Sequence, residues 1–151
     1  MIPSYTADEM RTNESTRSTR LKWVVVVDKR APIGSTMNAV ACVAASAGAV
    51  VDGLVGHGGP DADDSEHRGL PWAGCSVLAA GPEQLINIRA KAIGVEGMLV
   101  VDMPASAQTN RVYDDYLAEL STTPAPELTA ISLVGPRAEV DAIVKRLSLV
   151  V

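Results

Sequence analysis

Asp102 closes an apolar run, Met98-Leu99-Val100-Val101, and is followed within a few residues by Thr109-Asn110-Arg111. A carboxylate at the end of an apolar strand is held in place and partly desolvated, which is the environment that tunes an acid–base group. The competing reading is an Asp that closes the next turn through a local hydrogen bond. Thr109 or Asn110 suits the N-cap of a following helix, and Arg111 is placed either to pair with Asp102 or to hold an anion. Lys29 and Arg30 end a second apolar run and could approach the same edge, or simply face water. Asn38 lies off the apolar stripe of the helix after that run, near its start. If these groups converge, the chemistry is acyl transfer or hydrolysis. Asp102 would serve as base or water-orienter, Thr109 would hydrogen-bond the substrate, and Lys29 or Arg111 would hold a developing oxyanion.

Other chemistry-bearing residues have weaker patterns. His57-Gly-Gly-Pro-Asp-Ala-Asp-Asp-Ser-Glu-His67 gathers oxygen and imidazole ligands, but Glu66 sits where a calcium loop needs Gly and Trp72 where it needs a bidentate Glu. We therefore expect no metal and no cofactor. Gly53, Gly56, Gly58 and Gly59 precede no clear helix, so a flexible turn is expected rather than a phosphate cradle. Ser46, Ser65, Ser76 and Ser106 lack a nucleophile-elbow context. Cys42 and Cys75 belong to no C-x-x-C pair and are expected as buried free thiols, compatible with a reducing cytoplasm.

The elements that must position these residues alternate. Trp23–Val27, Cys75–Ala80, Gly97–Val101 and Leu128–Val134 read as strands, the first as one buried on both faces. Val51 to Val55 is a candidate short strand. Four helices follow the strands. The first carries Met37, Val40, Ala41, Ala44 and Ala45 as its apolar stripe and ends at Gly48. The second opens with Pro82, the third carries Tyr113, Tyr116, Leu117 and Leu120, and the last carries Val140, Ile143, Val144 and Leu147. Residues 1–20 are polar and aperiodic and read as a mobile tail, leaving one α/β domain over 21–151. The segment from His57 to Gly74 reads as a long loop. The expected architecture is a three-layer α/β/α domain around a mixed, mostly parallel four-stranded sheet, with ligands gathering at the carboxyl ends of strands.

The chain has 151 residues, enough for one domain with a substantial core, and no Phe, so that core must be built from Val, Leu, Ile, Ala and Met. The formal net charge is −5. A net negative surface weakens non-specific attraction to phosphate backbones, so tRNA is a disfavoured partner unless a local basic patch acts. No stretch is expected to span a membrane, and Met1 to Arg20 lacks the apolar core of a secretory signal.

The stretch Lys22 to Ala45, the strand Met98 to Asp102, Gln108-Thr109-Asn110-Arg111, and Leu133-Val134-Gly135-Pro136 through Leu147 resemble a bacterial domain family of unknown function that is grouped with the type 2 peptidyl-tRNA hydrolases. The resemblance covers about Leu21 to Val151. It rests on Pro32-Ile33 with Asn38 in the first helix, and on Asn110-Arg111 after the third strand. It implies a type 2 peptidyl-tRNA hydrolase-like fold, Asp102 and Thr109 as the catalytic candidates, and Asn38, Asn110 and Arg111 as substrate-binding ones, to which the strand-end position of Lys29 adds a further substrate-binding candidate. The first helix of true type 2 hydrolases reads approximately G-K-G-K-x-A-A-Q-x-x-H-A. Gly34 to Ala45 lacks both lysines, the Gln and the His. Two functions follow: a hydrolase acting on an acyl, peptidyl or aminoacyl ester, or a non-catalytic protein binding a small molecule or a partner. The second includes a homodimer through an exposed apolar face.

Overall fold

Four consecutive valines, Val24 to Val27, fill the middle of β1 (Leu21–Asp28), and each is at most 2% exposed. β-branched side chains suit a pleated surface covered on both sides. In the computed structural model, which describes Met1 to Val151, β1 pairs with β4 (Ser76–Ala80) on one side and with β6 (Leu128–Pro136) on the other. β5 (Leu99–Pro104) lies outside β6, and β7 (Ser148–Leu149) lies outside β4, giving the order β5-β6-β1-β4-β7.

The sheet has five strands, and only the β1–β4 pair is parallel; β6 runs antiparallel to both β1 and β5, and β7 antiparallel to β4. This corrects the expected four-stranded, mostly parallel sheet. β6 is buried along nearly its whole length, so apart from Thr129 and Ser132 it reads as an apolar run, the pattern usual for parallel strands. The short β7 leaves almost no periodic signal.

Alternation along β1 sorts the core into two halves. Trp23, Val25 and Val27 face α1 (Ile33–Val50), together with Ala130 and Val134. Val24 and Val26 face α2 (Pro82–Ala92) and α5 (Arg137–Val144), together with Ile131 and Leu133. The three layers expected from sequence are present. The Trp23 indole N–H donates to Ser132 Oγ at 2.9 Å inside the sheet.

Helix α1 departs from expectation twice. Its buried residues are Thr36, Ala39, Val43 and Ala47, whereas Met37 is 66% exposed and Ala41 and Ala45 face water. The helix is apolar nearly all round, so its sequence does not say which stripe meets the sheet. It is also 18 uncharged residues, long and apolar enough by length and composition to cross a bilayer, contrary to the reading that no stretch approaches that. Here it lies against β1, β5 and β6.

The region from Val51 to Gly74 contributes no strand to the central sheet. Val51 caps α1 and Val55 makes one isolated bridge to Pro71. Within it a short ribbon pairs β2 (Gly59–Pro60) with β3 (Glu66–His67). Its glycines serve close backbone approach rather than flexibility: a Cβ on Gly69 would fall 1.8 Å from Gly56 O, and one on Gly58 2.2 Å from His67 O.

The segment before Leu21 does have something to bury. Tyr5 is buried; its hydroxyl donates to Leu21 O, its N–H donates to Asp52 O, and its ring meets Trp72 edge-on at 5.0 Å. Arg20 clasps the segment by donating to Glu9 through Nε and Nη2 and to Ser4 O. The Arg20 guanidinium, helped by the Thr6 N–H, holds the Glu9 carboxyl down at about 2.

Two outcomes are expected. Ser132→Ala leaves the buried Trp23 N–H without an acceptor and should lower stability by about 1–3 kcal/mol in chemical denaturation; a neutral result would contradict the bond. Because the folded Glu9 value lies below the ordinary 4.5, its contribution is present above that value and is lost as pH falls toward about 2. Hydrogen exchange of residues 1–20 should therefore accelerate across that window before the sheet opens, and simultaneous loss of both would argue against the clasp.

Candidate functional site

Asp102 sits opposite Ile131 on β5, an edge strand, so its side chain shares the face of α2 rather than that of α1. There Arg89 of α2 donates to Asp102 Oδ2 through Nε at 2.5 Å, and the Asp102 side chain is only 18% exposed. The partner weighed from sequence, Arg111, is not the one it has. Nothing in the spacing of Arg89 announced this pair, which depends on α2 folding back over the sheet.

After β5, α3 (Ser106–Thr109) is a single turn and α4 (Tyr113–Thr122) starts after a break. Neither Thr109 nor Asn110 caps α4: Val112 occupies the N-cap position, and Asn110 is the C-cap of α3. The Thr109 hydroxyl donates to Ser106 O at 3.2 Å, closing its own turn. Asn110 Nδ2 donates to Ser106 O and to Glu119 Oε2, tying α3 to α4. Arg111 is exposed and has no hydrogen-bond or ion-pair partner in the protein.

The remaining predicted residues go elsewhere. The Lys29 N–H extends the β1–β4 ladder by donating to Ala80 O. Its Cε would lie 4.0 Å from a Cβ on Gly81, which places the side chain at the start of α2, two strands away from β5. Arg30 closes on Asp28 and reaches Glu127. Burial pushes the Asp28 carboxyl up, but the Arg30 side chain and N–H outweigh it and hold it below the ordinary carboxylate range. Asn38 Oδ1 accepts from Gln108 Nε2 at 3.1 Å. Gln108 also donates to Ser35 O and accepts from Thr129 Oγ1, so it locks α1, α3 and β6 together. No local pattern marks Gln108 as the hub.

A cleft of about 430 Å³ lies between α1 and the β5–α3–α4 segment. Asp102, Asn110 and Arg111 line it, joined by Cys42 and Ser46 of α1 and by Tyr113 and Tyr116 of α4. The two tyrosine rings meet edge-on at 5.6 Å. Burial raises the Tyr116 hydroxyl above its ordinary value, and the charges of Tyr113 and Asp102 add to that. No residue of α4 is buried; Tyr113 and Leu117 are exposed, as is Val112 just before the helix. The stripe of Tyr113, Tyr116, Leu117 and Leu120 is thus a half-open wall. Three of the six predicted site residues converge here, while Thr109, Lys29 and Asn38 do not line the cleft. In the histidine-bearing loop, His67 lies 3.1 Å from Asp61, whose Oδ1 also accepts from the N–H groups of Asp63 and Ser65.

The cysteines are not both buried. Cys42 is exposed on α1 at the cleft. Cys75 exposes part of its surface, yet its sulfur donates to Ser76 O and burial pushes the thiol up to about 12.

A family model described as "Protein of unknown function (DUF2000)" matches residues 21–150. No curated protein matches the chain. Among solved structures, a protein of unknown function from Agrobacterium tumefaciens strain C58 superposes with a TM-score of 0.80 at 16% sequence identity, covering 87% of this chain and 98% of that one. At that identity the likeness is one of fold.

Alkylation distinguishes the thiols. At about pH 8, iodoacetamide should modify Cys42 in the folded protein and Cys75 only after unfolding, because the thiolate is the nucleophile and Cys75 stays protonated. Peptide mass spectrometry showing equal rates would contradict the assignment.

Proposed function

The chain belongs to the family described as Protein of unknown function (DUF2000), and from that premise we propose that it binds a small acyl, peptidyl or aminoacyl compound in the cleft between α1 and α3–α4. The observation that carries the reading is the state of the two charges there. Arg111 lines the cleft with no partner in the protein, while Asp102 is already neutralised by Arg89. An unpaired guanidinium beside the exposed Tyr113 and the partly buried Tyr116 is suited to a carboxylate with an apolar body. Asn110 Oδ1 remains an acceptor for an amide N–H, since its Nδ2 is committed to Ser106 and Glu119.

Ester hydrolysis by a type 2 peptidyl-tRNA hydrolase-like site is the second reading. It is favoured by Asp102 lining the same cleft as Arg111. It needs Arg89 to release the carboxylate or to orient it toward water, and it must proceed without Thr109 and Lys29, which lie outside the cleft.

The test is a chemical-shift titration of the labelled protein with N-acetylated amino acids. Shifts should concentrate at Ser46, Asn110, Arg111 and Tyr113, and Arg111→Gln should weaken binding by about tenfold, the size of a lost charge-assisted hydrogen bond. Binding unaffected by Arg111→Gln would overturn the assignment. Turnover of peptidyl-tRNA that disappears in a folded Asp102→Asn variant would replace binding with hydrolysis.

A further inference from the structure

The other face of the sheet carries a second concave surface. A groove of about 450 Å³ runs between α2 and α5. Gln84, Asn87, Ile88 and Lys91 line it from α2, spaced to fall on one stripe of that helix. Lys145 and Arg146 line it from the end of α5, and Ile143 and Leu147 add apolar floor.

The charge distribution there is unlike that of the rest of the molecule. The chain has 13 Lys and Arg against 18 Asp and Glu. Five of the cations form ion pairs: Arg11, Arg20, Lys22, Arg30 and Arg89. Arg137 donates to carbonyls of the N-terminal segment. Of the seven left without a partner, three line this one groove, and no carboxylate lines it. The nearby Asp141 is engaged by Lys22. Cations near helix C-termini complement the helix dipole, and that accounts for Lys91 and Lys145 at their positions. It does not account for a wall without a counter-charge in an acidic protein.

The neutral groups are also donors. Gln84 Oε1 is fixed by the Gly81 N–H at 2.8 Å, which leaves the Gln84 amide NH₂ free to donate. Asn87 adds a second amide. A single carboxylate would leave most of these donors idle; a polyphosphate would engage them. The apolar floor and a volume within the usual range for small-molecule sites call for an organic body beside the phosphates.

We propose that the α2–α5 groove is a second ligand site, on the opposite face from the cleft, that takes an organic polyphosphate of the nucleoside di- or triphosphate class. The phosphates lie against Lys91, Lys145 and Arg146, and the base lies on Ile88, Ile143 and Leu147, with Asn87 at its edge.

The test is a chemical-shift titration of the full chain with ATP, ADP and inorganic pyrophosphate, at low and at raised salt. ATP and ADP should move the Asn87, Lys91 and Arg146 signals, with binding weakened by salt. Lys145→Gln with Arg146→Gln should reduce the affinity for ATP by about tenfold or more, whereas Arg68→Gln, which removes an unpaired cation in the loop between α1 and β4, should bind as the wild type does. All are surface changes, and circular dichroism checks that each variant is folded. No shift with any probe, or an equal loss in Arg68→Gln, would overturn the site. Pyrophosphate binding as tightly as ATP would overturn the role of the apolar floor.

Discussion

β1 is hydrogen-bonded on both edges and covered on both faces, and every functional feature of the molecule is held at a distance fixed by it. Its pairing with β6 runs from Leu21↔Pro136 to Val27↔Ala130, and with β4 from Val24↔Ser76 to Asp28↔Ala80. A slip of one residue in either ladder would turn the valines of one core toward the helices of the other. The register therefore also decides that Asp102, two strands away, faces α2 and not α1. Burial at this density leaves no room for rearrangement, so the two helical layers act as walls on a rigid floor.

That division separates two kinds of chemistry. On the α1 side the surface is uncharged along the helix and opens into the cleft with one unpaired guanidinium, Arg111. On the α2–α5 side the helices carry the cations and the cleft-facing carboxylate is tied down by Arg89. The Asp102–Arg89 pair bridges the two, since Asp102 lines the cleft while its partner comes from the opposite layer. The pair thus ties α2 to the strand that carries the rim of the cleft.

The loops are fixed by similar economy. Gln108 uses its amide to hold Ser35, Asn38 and Thr129 at once, so the entrance to the cleft is braced by neutral groups. The ribbon from Gly56 to Gly69 is held by backbone approach that no side chain could share. Tyr5 with Trp72 then lays the N-terminal segment over the region that follows α1.

The sequence by itself determined the periodic parts: the valine run of β1, the strand ending at Asp102, the Gly-Pro openings, and the three-layer arrangement that follows from alternating elements. These are legible because a strand buried on both faces and an amphipathic helix each impose a pattern on neighbouring residues. Strand direction was not legible. An antiparallel strand inserted between β1 and β5 is buried in the same way as a parallel one, and only the chain path through α3 and α4 brings β6 into that slot. Nor could the sequence choose the buried stripe of α1, because Ala, Gly, Ser and Val on all sides satisfy several. The partners of Asp102 and Asn38 were decided by tertiary structure alone: Arg89 lies 13 positions from Asp102 and Gln108 lies 70 from Asn38. Contacts of that kind depend on where whole elements dock, which local spacing does not encode.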